Sequence, residues 1–161
     1  MFTPWIYGER APIDDRYVRS ALFNLSLENT REDIIRAVME GVAFNSRWLL
    51  QPVEKFLGRK LERINFVGGG AKSDVWCKIL ADVLNLSIRQ VKDPIQANAR
   101  GAAFIAAVGL GYLEYNDIPE LIEYNYIYRP DPASRGVYDK MFDVFVKFYK
   151  NNKSLYQQLN T

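Results

Sequence analysis

Residues 68–73 (GGGAKS) combine residue types and spacing that could bind a phosphorylated ligand. The consecutive glycines Gly68, Gly69 and Gly70 let the backbone turn sharply and let a ligand approach the main chain with no Cβ in the way. A helix capped by Ser73 would add unpaired N–H groups and a partial positive charge, both of which favour phosphate. The segment therefore predicts either a nucleotide site or a tight strand-to-helix turn that binds no ligand.

The spacing around these glycines excludes the two commonest glycine-rich nucleotide motifs, since neither GxxxxGK[ST] nor GxGxxG is present. Lys72 could contact phosphate, or it could lie in solvent beside the start of the helix. Asp74 could serve only the helix dipole, or it could accept a hydrogen bond from a ribose hydroxyl or an adenine edge. The residues alone leave both pairs of alternatives open.

Two further segments carry residues of possible functional importance. Residues 96–103 (QANARGAA) are rich in small side chains, which allow close approach to a sheet or another helix and predict structural packing. Asn98 is predicted to cap this helix. Residues 7–12 (YGERAP) place a tyrosine, a carboxylate and a guanidinium in one turn-rich loop. This loop predicts either an internal ion pair or a contact with a sugar or a partner domain.

The composition narrows the class of protein. A chain of 161 residues fits one domain, and its 48% apolar and 25% charged residues are an ordinary globular balance. The net charge of +2 leaves no basic surplus for nucleic acid or an anionic membrane. The absence of histidine removes the commonest metal ligand and every Ser-His-Asp or Cys-His scheme. We therefore expect a protein with neither a histidine-based catalytic centre nor a metal site of its own.

Cysteine usage and hydropathy bear on location. Cys77 is the only cysteine, so no intrachain disulfide can form and a reducing compartment is expected. No segment approaches the roughly 20 apolar residues of a membrane span, and no signal peptide opens the chain. These features predict a soluble, cytoplasmic protein.

The elements that must position the glycines follow from periodicity and caps. Residues 1–29 read as loop, and their aromatic start (MFTPWIYG) predicts an arm that packs either on its own core or on something outside. Thr30 predicts the N-cap of a helix that Pro52 should kink or split and Gly58 should end. Residues 63–67 then predict a strand that runs directly into the glycines.

The rest of the chain is also predicted to alternate between helices and strands. The inner face of a second helix, starting at Ser73, is predicted to carry Val75, Trp76, Ile79, Leu80, Val83 and Leu84. Residues 86–91 predict a strand, residues 97–108 an alanine-rich helix, and Ser134 the opening of a long helix with an aromatic face. Strands alternating with helices predict an α/β fold with a largely parallel sheet.

Three stretches, taken in order, resemble the C-terminal domain of the FGGY carbohydrate kinases, most closely the xylulokinase branch. They are residues 8–12 (GERAP), residues 37–44 (AVMEGVAF) and residues 67–73 (VGGGAKS), the last followed by Trp76. Residues 99–103 (ARGAA) look like the small-residue helix of that family, and the resemblance extends over nearly the whole chain. It identifies residues 1–161 as the C-terminal nucleotide-binding domain of such a kinase.

The resemblance implies a partial, C-terminal lobe of an actin-like (ribonuclease H-like) ATPase fold, in which ATP and a sugar meet between two lobes. It places Gly68, Gly69, Gly70, Ala71, Ser73 and Asp74 on the adenosine side of the nucleotide. The phosphate loop, the sugar-binding residues and the general-base aspartate of the family have no counterpart in this sequence.

We therefore expect this chain alone to be inactive. In the complete enzyme, the family pattern implies ATP and Mg²⁺ as cofactors and xylulose as the leading substrate, bound through the N-terminal lobe. A non-catalytic nucleotide-binding or interaction module is the alternative, and exposed aromatic surface would allow a homo-oligomer. The sequence does not decide which sugar is used.

Overall fold

The computed structural model describes residues 1–160, and its first helix, α1, spans Arg31–Leu57. The Thr30 hydroxyl accepts from the Asp33 N–H at 3.2 Å, and the Asp33 carboxylate accepts from the Thr30 N–H at 2.9 Å, which is a capping box. The helix ends at Gly58, where φ is 65°. The predicted start and stop of α1 are therefore confirmed.

Pro52 does not split α1, so that part of the prediction is wrong. The helix continues through it to Leu57, because a proline removes only one backbone donor and the contacts on both sides of it hold the helix in place. Before Pro52, the Trp48 ring packs on the core ring of Phe145. After it, the buried Glu54 carboxylate accepts from the Leu61 N–H at 3.0 Å.

The central sheet has three strands. Strand β3 (Arg63–Phe66) runs parallel to β4 (Ser87–Val91), with Ile64 opposite Ile88. Strand β5 (Tyr124–Tyr128) pairs with the other side of β4 in the antiparallel sense. The sequence predicted β3 and β4 but not β5, so the sheet is mixed rather than largely parallel.

Helix α2 (Asp74–Leu84) links β3 to β4 and carries much of the core. Ile79, Leu80, Val83 and Leu84 are buried as predicted. Val75 is 59% exposed because it lies at the edge of the inner face, so its predicted burial is wrong. Cys77 and Ala81 lie outside the predicted face and are also buried, so α2 packs into the core over a wider face than predicted.

Helix α4 (Arg135–Asn160) follows a short 3-10 turn that ends at Ser134, so the predicted opening is confirmed. Its aromatic face meets α1 and the N-terminal arm. Phe145 is fully buried, with its ring centroid 5.1 Å from that of Trp5. Trp5 is also fully buried, so the aromatic start of the chain packs on its own core.

Two short strands, β1 (Phe2–Thr3) and β2 (Ala21–Leu22), pair antiparallel and fasten this arm to α1. A Cβ on Gly41 of α1 would lie 2.3 Å from the Phe2 carbonyl oxygen, so only glycine allows the strand to approach.

Helix α3 (Ala97–Gly109) follows a 3-10 turn at Pro94–Gln96. Asn98 lies inside the first turn and does not cap it, contrary to the prediction, because the preceding 3-10 turn already places Gln96 at the cap position. The residues of α3 are half-buried or exposed, and none is buried. Within residues 1–160, no helix combines the length and apolar character needed to cross a membrane.

Candidate nucleotide site

The glycine loop joins β3 to α2 and is anchored at both ends. Gly68 has φ of 86°, and its N–H donates to the Pro94 carbonyl at 2.8 Å. A 3-10 turn covers Gly69–Lys72, and Ser73 then caps α2 by accepting from the Trp76 N–H at 3.2 Å. The predicted strand–glycine–helix passage is therefore present, with its loop held against the connection between β4 and α3.

The three glycines differ in backbone conformation and in what surrounds them. Gly68 adopts a left-handed φ that other residues rarely take. A Cβ on Gly70 would lie 2.5 Å from the Trp76 ring, so the missing side chain of Gly70 makes room for that indole. A Cβ on Gly69 would meet nothing within 4 Å, and Gly69 is exposed. The space at the missing Cβ is therefore open at Gly68 and Gly69 and filled by the Trp76 ring at Gly70.

Ala71, at the end of the loop, is buried and held through its carbonyl oxygen. The Gln90 side chain donates to this oxygen from Nε2 at 2.8 Å, and the Cys77 thiol approaches it at 3.8 Å. Burial, followed by the nearby charge of Asp74, raises the pKa of the Cys77 thiol to about 11. The thiol therefore remains protonated at neutral pH and serves as a donor within the fold.

Asp74 begins α2 and is exposed, with its carboxylate aimed toward the sheet. Its Oδ1 accepts from Gln90 Nε2 at 3.0 Å, so one buried amide of β4 joins Asp74 to the glycine loop. The nearby Tyr128 hydroxyl, followed by the Gln90 amide, lowers the pKa of Asp74. Burial, and then the interaction with Asp74, raises the pKa of Tyr128. Asp74 is therefore a charged, oriented hydrogen-bond acceptor.

These groups share an open pocket of about 800 Å³. It is lined by Ala71, Lys72, Asp74, Gln90, Asp93, Pro94, Asn125, Tyr126 and Tyr128. The glycine loop follows the carboxyl end of β3, and Gln90 lies near the carboxyl end of β4, which is where ligands bind in open α/β sheets. The pocket volume falls within the usual range for small-molecule sites.

The sequence reasoning missed Gln90 and the two tyrosines of β5. Gln90 is 5% exposed, and a buried amide in a strand is the kind of residue that marks a site. Arg89 and Ser87 of the same strand are also polar, so only the burial of Gln90, which the structure shows, distinguishes it from them. Tyr126 and Tyr128 belong to the strand that was not predicted.

Lys72 lines the pocket and is exposed, and it forms no ion pair with any residue of 1–160. Its ammonium group is therefore available to an anionic ligand. The part of the chain that the structure describes contains no group of three His, Cys, Asp or Glu side chains able to hold a metal ion. Those residues offer no built site for Mg²⁺.

The loop at residues 7–12 does not contain the predicted ion pair. The Glu9 carboxylate accepts from the Arg10 N–H at 2.9 Å and from Asn45 Nδ2 of α1 at 3.0 Å. Asn45 Oδ1 in turn accepts from Trp5 Nε1 at 3.0 Å. Glu9 is thus satisfied by backbone and amide groups, which attach the loop to α1 and leave the guanidinium of Arg10 exposed.

The lowered pKa of Asp74 predicts a pH dependence of stability. A carboxylate whose pKa is depressed on folding stabilises the fold above its unfolded pKa, near 3.8, and this contribution disappears as pH falls through the folded value. We expect Asp74→Asn to lower the urea midpoint at about pH 7 and to have little effect near pH 2. The exposed Asp143→Asn is the control. A deficit of the same size at both pH values would contradict the assignment.

Comparison with known proteins identifies the family to which the sequence is related. The sequence model of the FGGY family of carbohydrate kinases, C-terminal domain, matches residues 1–110. The xylulose kinase of Staphylococcus epidermidis is 30% identical over 100% of this chain and 32% of its own length. The glycerol kinase of Mycoplasmopsis pulmonis is 30% identical over 98% of this chain and 30% of its own.

A solved structure shows the same fold. The ligand-bound xylulose kinase from Lactobacillus acidophilus superposes with a TM-score of 0.88 at 28% identity, over 99% of this chain and 32% of that one. The fold is therefore the predicted α/β, actin-like ATPase fold, of which this chain forms a part. The chain spans about a third of the length of the relatives that it matches. Because the family model covers well over half of the sequence, this chain belongs to the FGGY family of carbohydrate kinases, within the region of their C-terminal domain.

Proposed function

We propose that this chain forms the adenosine side of the ATP site in a kinase that transfers the γ-phosphate to a sugar hydroxyl. The observation that supports it is the pocket at the carboxyl ends of β3 and β4, in which Ala71 of the glycine loop and the oriented carboxylate of Asp74 lie together. A carboxylate only accepts hydrogen bonds, so its partner on the ligand must donate. Ribose hydroxyls and the adenine amino group are donors of this kind.

The pocket supplies the other contacts that a nucleoside needs. Tyr126 is exposed in its wall and offers an aromatic face for stacking. On the adjoining loop, the space beside Gly69 is open where a Cβ would lie, so a ligand that extends over the loop can approach its backbone. The other residues of the loop act through its shape. Gly68 sets the turn, and Gly70 makes room for the Trp76 ring. The Ala71 carbonyl accepts from the Gln90 amide, and Ser73 caps α2. We assign residues 1–161 to the nucleotide-binding domain on this basis.

Phosphoryl transfer depends on positioning and on neutralising the charge of the phosphates. Apart from Lys72, the pocket has no cation to do this, and residues 1–160 contain no metal-ligating cluster. We therefore place Mg²⁺, most of the phosphate contacts, the sugar and the general base in the remaining part of a full-length kinase. Xylulose is the leading substrate, although the relatives at similar identity include a glycerol kinase.

Ligand dissection tests the adenosine assignment. We expect adenosine and ADP to bind the isolated chain with affinities within a few-fold of each other, because both present the same nucleoside to Asp74 and Gly69. Inorganic tripolyphosphate should bind far more weakly. Calorimetric titration with all three ligands measures this directly. Tripolyphosphate binding as tightly as ADP would mean that the pocket is a phosphate site, and the proposal would be wrong.

The isolated chain is expected to transfer no phosphate to D-xylulose, because the groups that position the acceptor and neutralise the phosphates lie outside it. A coupled assay for ADP release, run with and without the sugar, measures this. Sugar-dependent turnover above the rate without protein would show that the 161 residues carry a complete active site.

A further inference from the structure

Asp93 follows β4 and has a strained backbone. Its φ of 48° and ψ of 57° lie in the left-handed region, where residues with a side chain are uncommon. The next residue is Pro94, and a residue before proline favours an extended backbone instead. A conformation of this kind persists only where its surroundings impose it, and such conformations cluster at functional sites. The strain at Asp93 therefore needs a physical reason.

Main-chain hydrogen bonds impose this conformation. The Arg100 guanidinium donates to the carbonyl oxygen of Asp93 at 3.2 Å and to that of the preceding residue at 2.7 Å. The Gln96 N–H donates to the Asp93 carbonyl at 3.0 Å, and the Pro94 carbonyl accepts from the Gly68 N–H at 2.8 Å. Each bond uses a backbone oxygen, which a glycine at position 93 would supply equally well and without strain. The fold thus explains the turn at this position but not the aspartate.

The Asp93 carboxylate has no partner within the fold. It is exposed, it does not cap the 3-10 turn that follows, and it forms neither a hydrogen bond nor an ion pair with any residue of 1–160. The neighbouring Lys92 pairs instead with Glu123, Nζ to Oε2 at 2.6 Å. Asn85 also has a positive φ, but it ends α2 as the C-cap, where asparagine is a usual residue. Asp93 has no local role of that kind.

This carboxylate lines the same pocket as Asp74. Asp74 accepts from Gln90 of β4, and Tyr126 of β5 lies opposite Gln90 in the sheet register. The tyrosine ring and Asp74 therefore belong to one part of the pocket, in which the stacked base would lie. Asp93 lies beyond the carboxyl end of β4, and its neighbour Pro94 is bonded to the glycine loop. The two carboxylates are thus available to different parts of one ligand.

We propose that Asp93 binds the ribose of the nucleotide and makes the site selective for ribonucleotides over deoxyribonucleotides. The proposal rests on the proposed function. A carboxylate has two acceptor oxygens, and the 2′- and 3′-hydroxyls of ribose are two adjacent donors that match them. The phosphates, by contrast, would be repelled by this carboxylate. Asp74 then remains for the adenine amino group, beside Tyr126.

Relief of the backbone strain is the first part of the test. Asp93→Gly should raise the urea midpoint by roughly 0.3 M, because glycine adopts a positive φ freely. The same variant should bind ADP on the order of tenfold more weakly, because the ribose loses its acceptor. A chain that becomes more stable while it binds more weakly does not owe the weaker binding to unfolding. Asn85→Gly is the matched control, since it changes a residue of positive φ outside this pocket and should leave ADP binding unchanged.

A ligand without the 2′-hydroxyl is the second part. Titrations followed at the amide resonances of Gly69 and Ala71 compare ADP with 2′-deoxy-ADP. The parent chain should bind ADP on the order of tenfold more tightly. Asp93→Asn retains a residue that tolerates a positive φ but loses the charge and one acceptor oxygen, so the preference should fall to about twofold or less. Asp74→Asn should weaken both ligands alike and preserve the preference.

Three results would overturn the proposal while leaving the adenosine site in place. They are equal affinity of the parent chain for ADP and 2′-deoxy-ADP, undiminished ADP binding by Asp93→Gly, and a lower urea midpoint of that variant, which would mean that the carboxylate serves the fold. Failure of the proposed function looks different. In that case the parent chain shows no shifts at Gly69 and Ala71 with either ligand, and both proposals are wrong.

Discussion

Replacing Gly70 with alanine is expected to lower the free energy of unfolding by about 1–3 kcal/mol and to weaken adenosine binding at the same time. The added Cβ would lie 2.5 Å from one atom of the Trp76 ring and 2.8 Å from another. Trp76 cannot retreat freely, because its ring packs edge-on against Phe66 with centroids 6.0 Å apart. Either the indole or the loop must move, and the loop carries the proposed ligand contacts.

Gly69→Ala is the matched variant, since it makes the same chemical change one residue earlier in open space. It should leave the free energy of unfolding within about 0.5 kcal/mol of the parent and affect only the ligand. Urea unfolding and adenosine titration of both variants separate the two effects. Equal destabilisation by the two alanines would show that Trp76 does not depend on Gly70, and the roles assigned to the glycines would have to be revised.

Replacing Phe145 with alanine is expected to cost about 3–5 kcal/mol, a large share of the roughly 5–15 kcal/mol that a folded domain has in total. Phe145 is fully buried and joins three parts of the chain. Its ring lies 5.1 Å from that of Trp5, 5.7 Å from that of Phe44 and 6.3 Å from that of Trp48. Its loss would leave a cavity between α4, α1 and the N-terminal arm.

Phe56→Ala is the control for this substitution, because Phe56 is a phenylalanine that is 90% exposed on α1. Its effect should stay within about 0.5 kcal/mol. The midpoints of urea unfolding, followed by tryptophan fluorescence, measure both variants, and Trp5 and Trp48 report on the affected region. A Phe145 variant as stable as the control would mean that the N-terminal arm and α4 do not share a core.

The helix boundaries were predictable because their signals are local. Thr30 and Ser73 cap the helices that follow them, and Gly58 ends α1. Strand β5 was not predictable in the same way. Its sequence, YNYIY, has little apolar alternation, and it becomes a strand by pairing with β4, more than thirty residues earlier in the chain. Its tyrosines and isoleucine favour a strand, but the sheet to which it belongs is decided by tertiary contacts.

The candidate site also contains residues that are contiguous in the sequence and residues that only the folded sheet brings together. The glycine loop and Asp74 are contiguous, so a sequence pattern could point to them. Gln90 reaches Asp74 through the pairing of β4 with β3, and Tyr128 reaches it through the pairing of β5 with β4. Neither register can be read from a single sequence. The role of Gly70 depends on where the Trp76 ring lies. The sequence therefore indicated the loop, whereas only the three-dimensional packing shows that its glycines have different roles.

The most direct measurement is a titration of ¹⁵N-labelled protein with ADP, followed by the amide resonances. We predict saturable shifts at Gly69, Ala71 and Asp74, with a dissociation constant on the order of 1 mM for a pocket that lacks its phosphate contacts. Asp74→Asn should weaken these shifts, and Asp143→Asn should not. Two results would contradict the claim that this loop is the adenosine side of the site. One is the absence of shifts at high ADP concentration, and the other is shifts only at residues remote from the glycine loop.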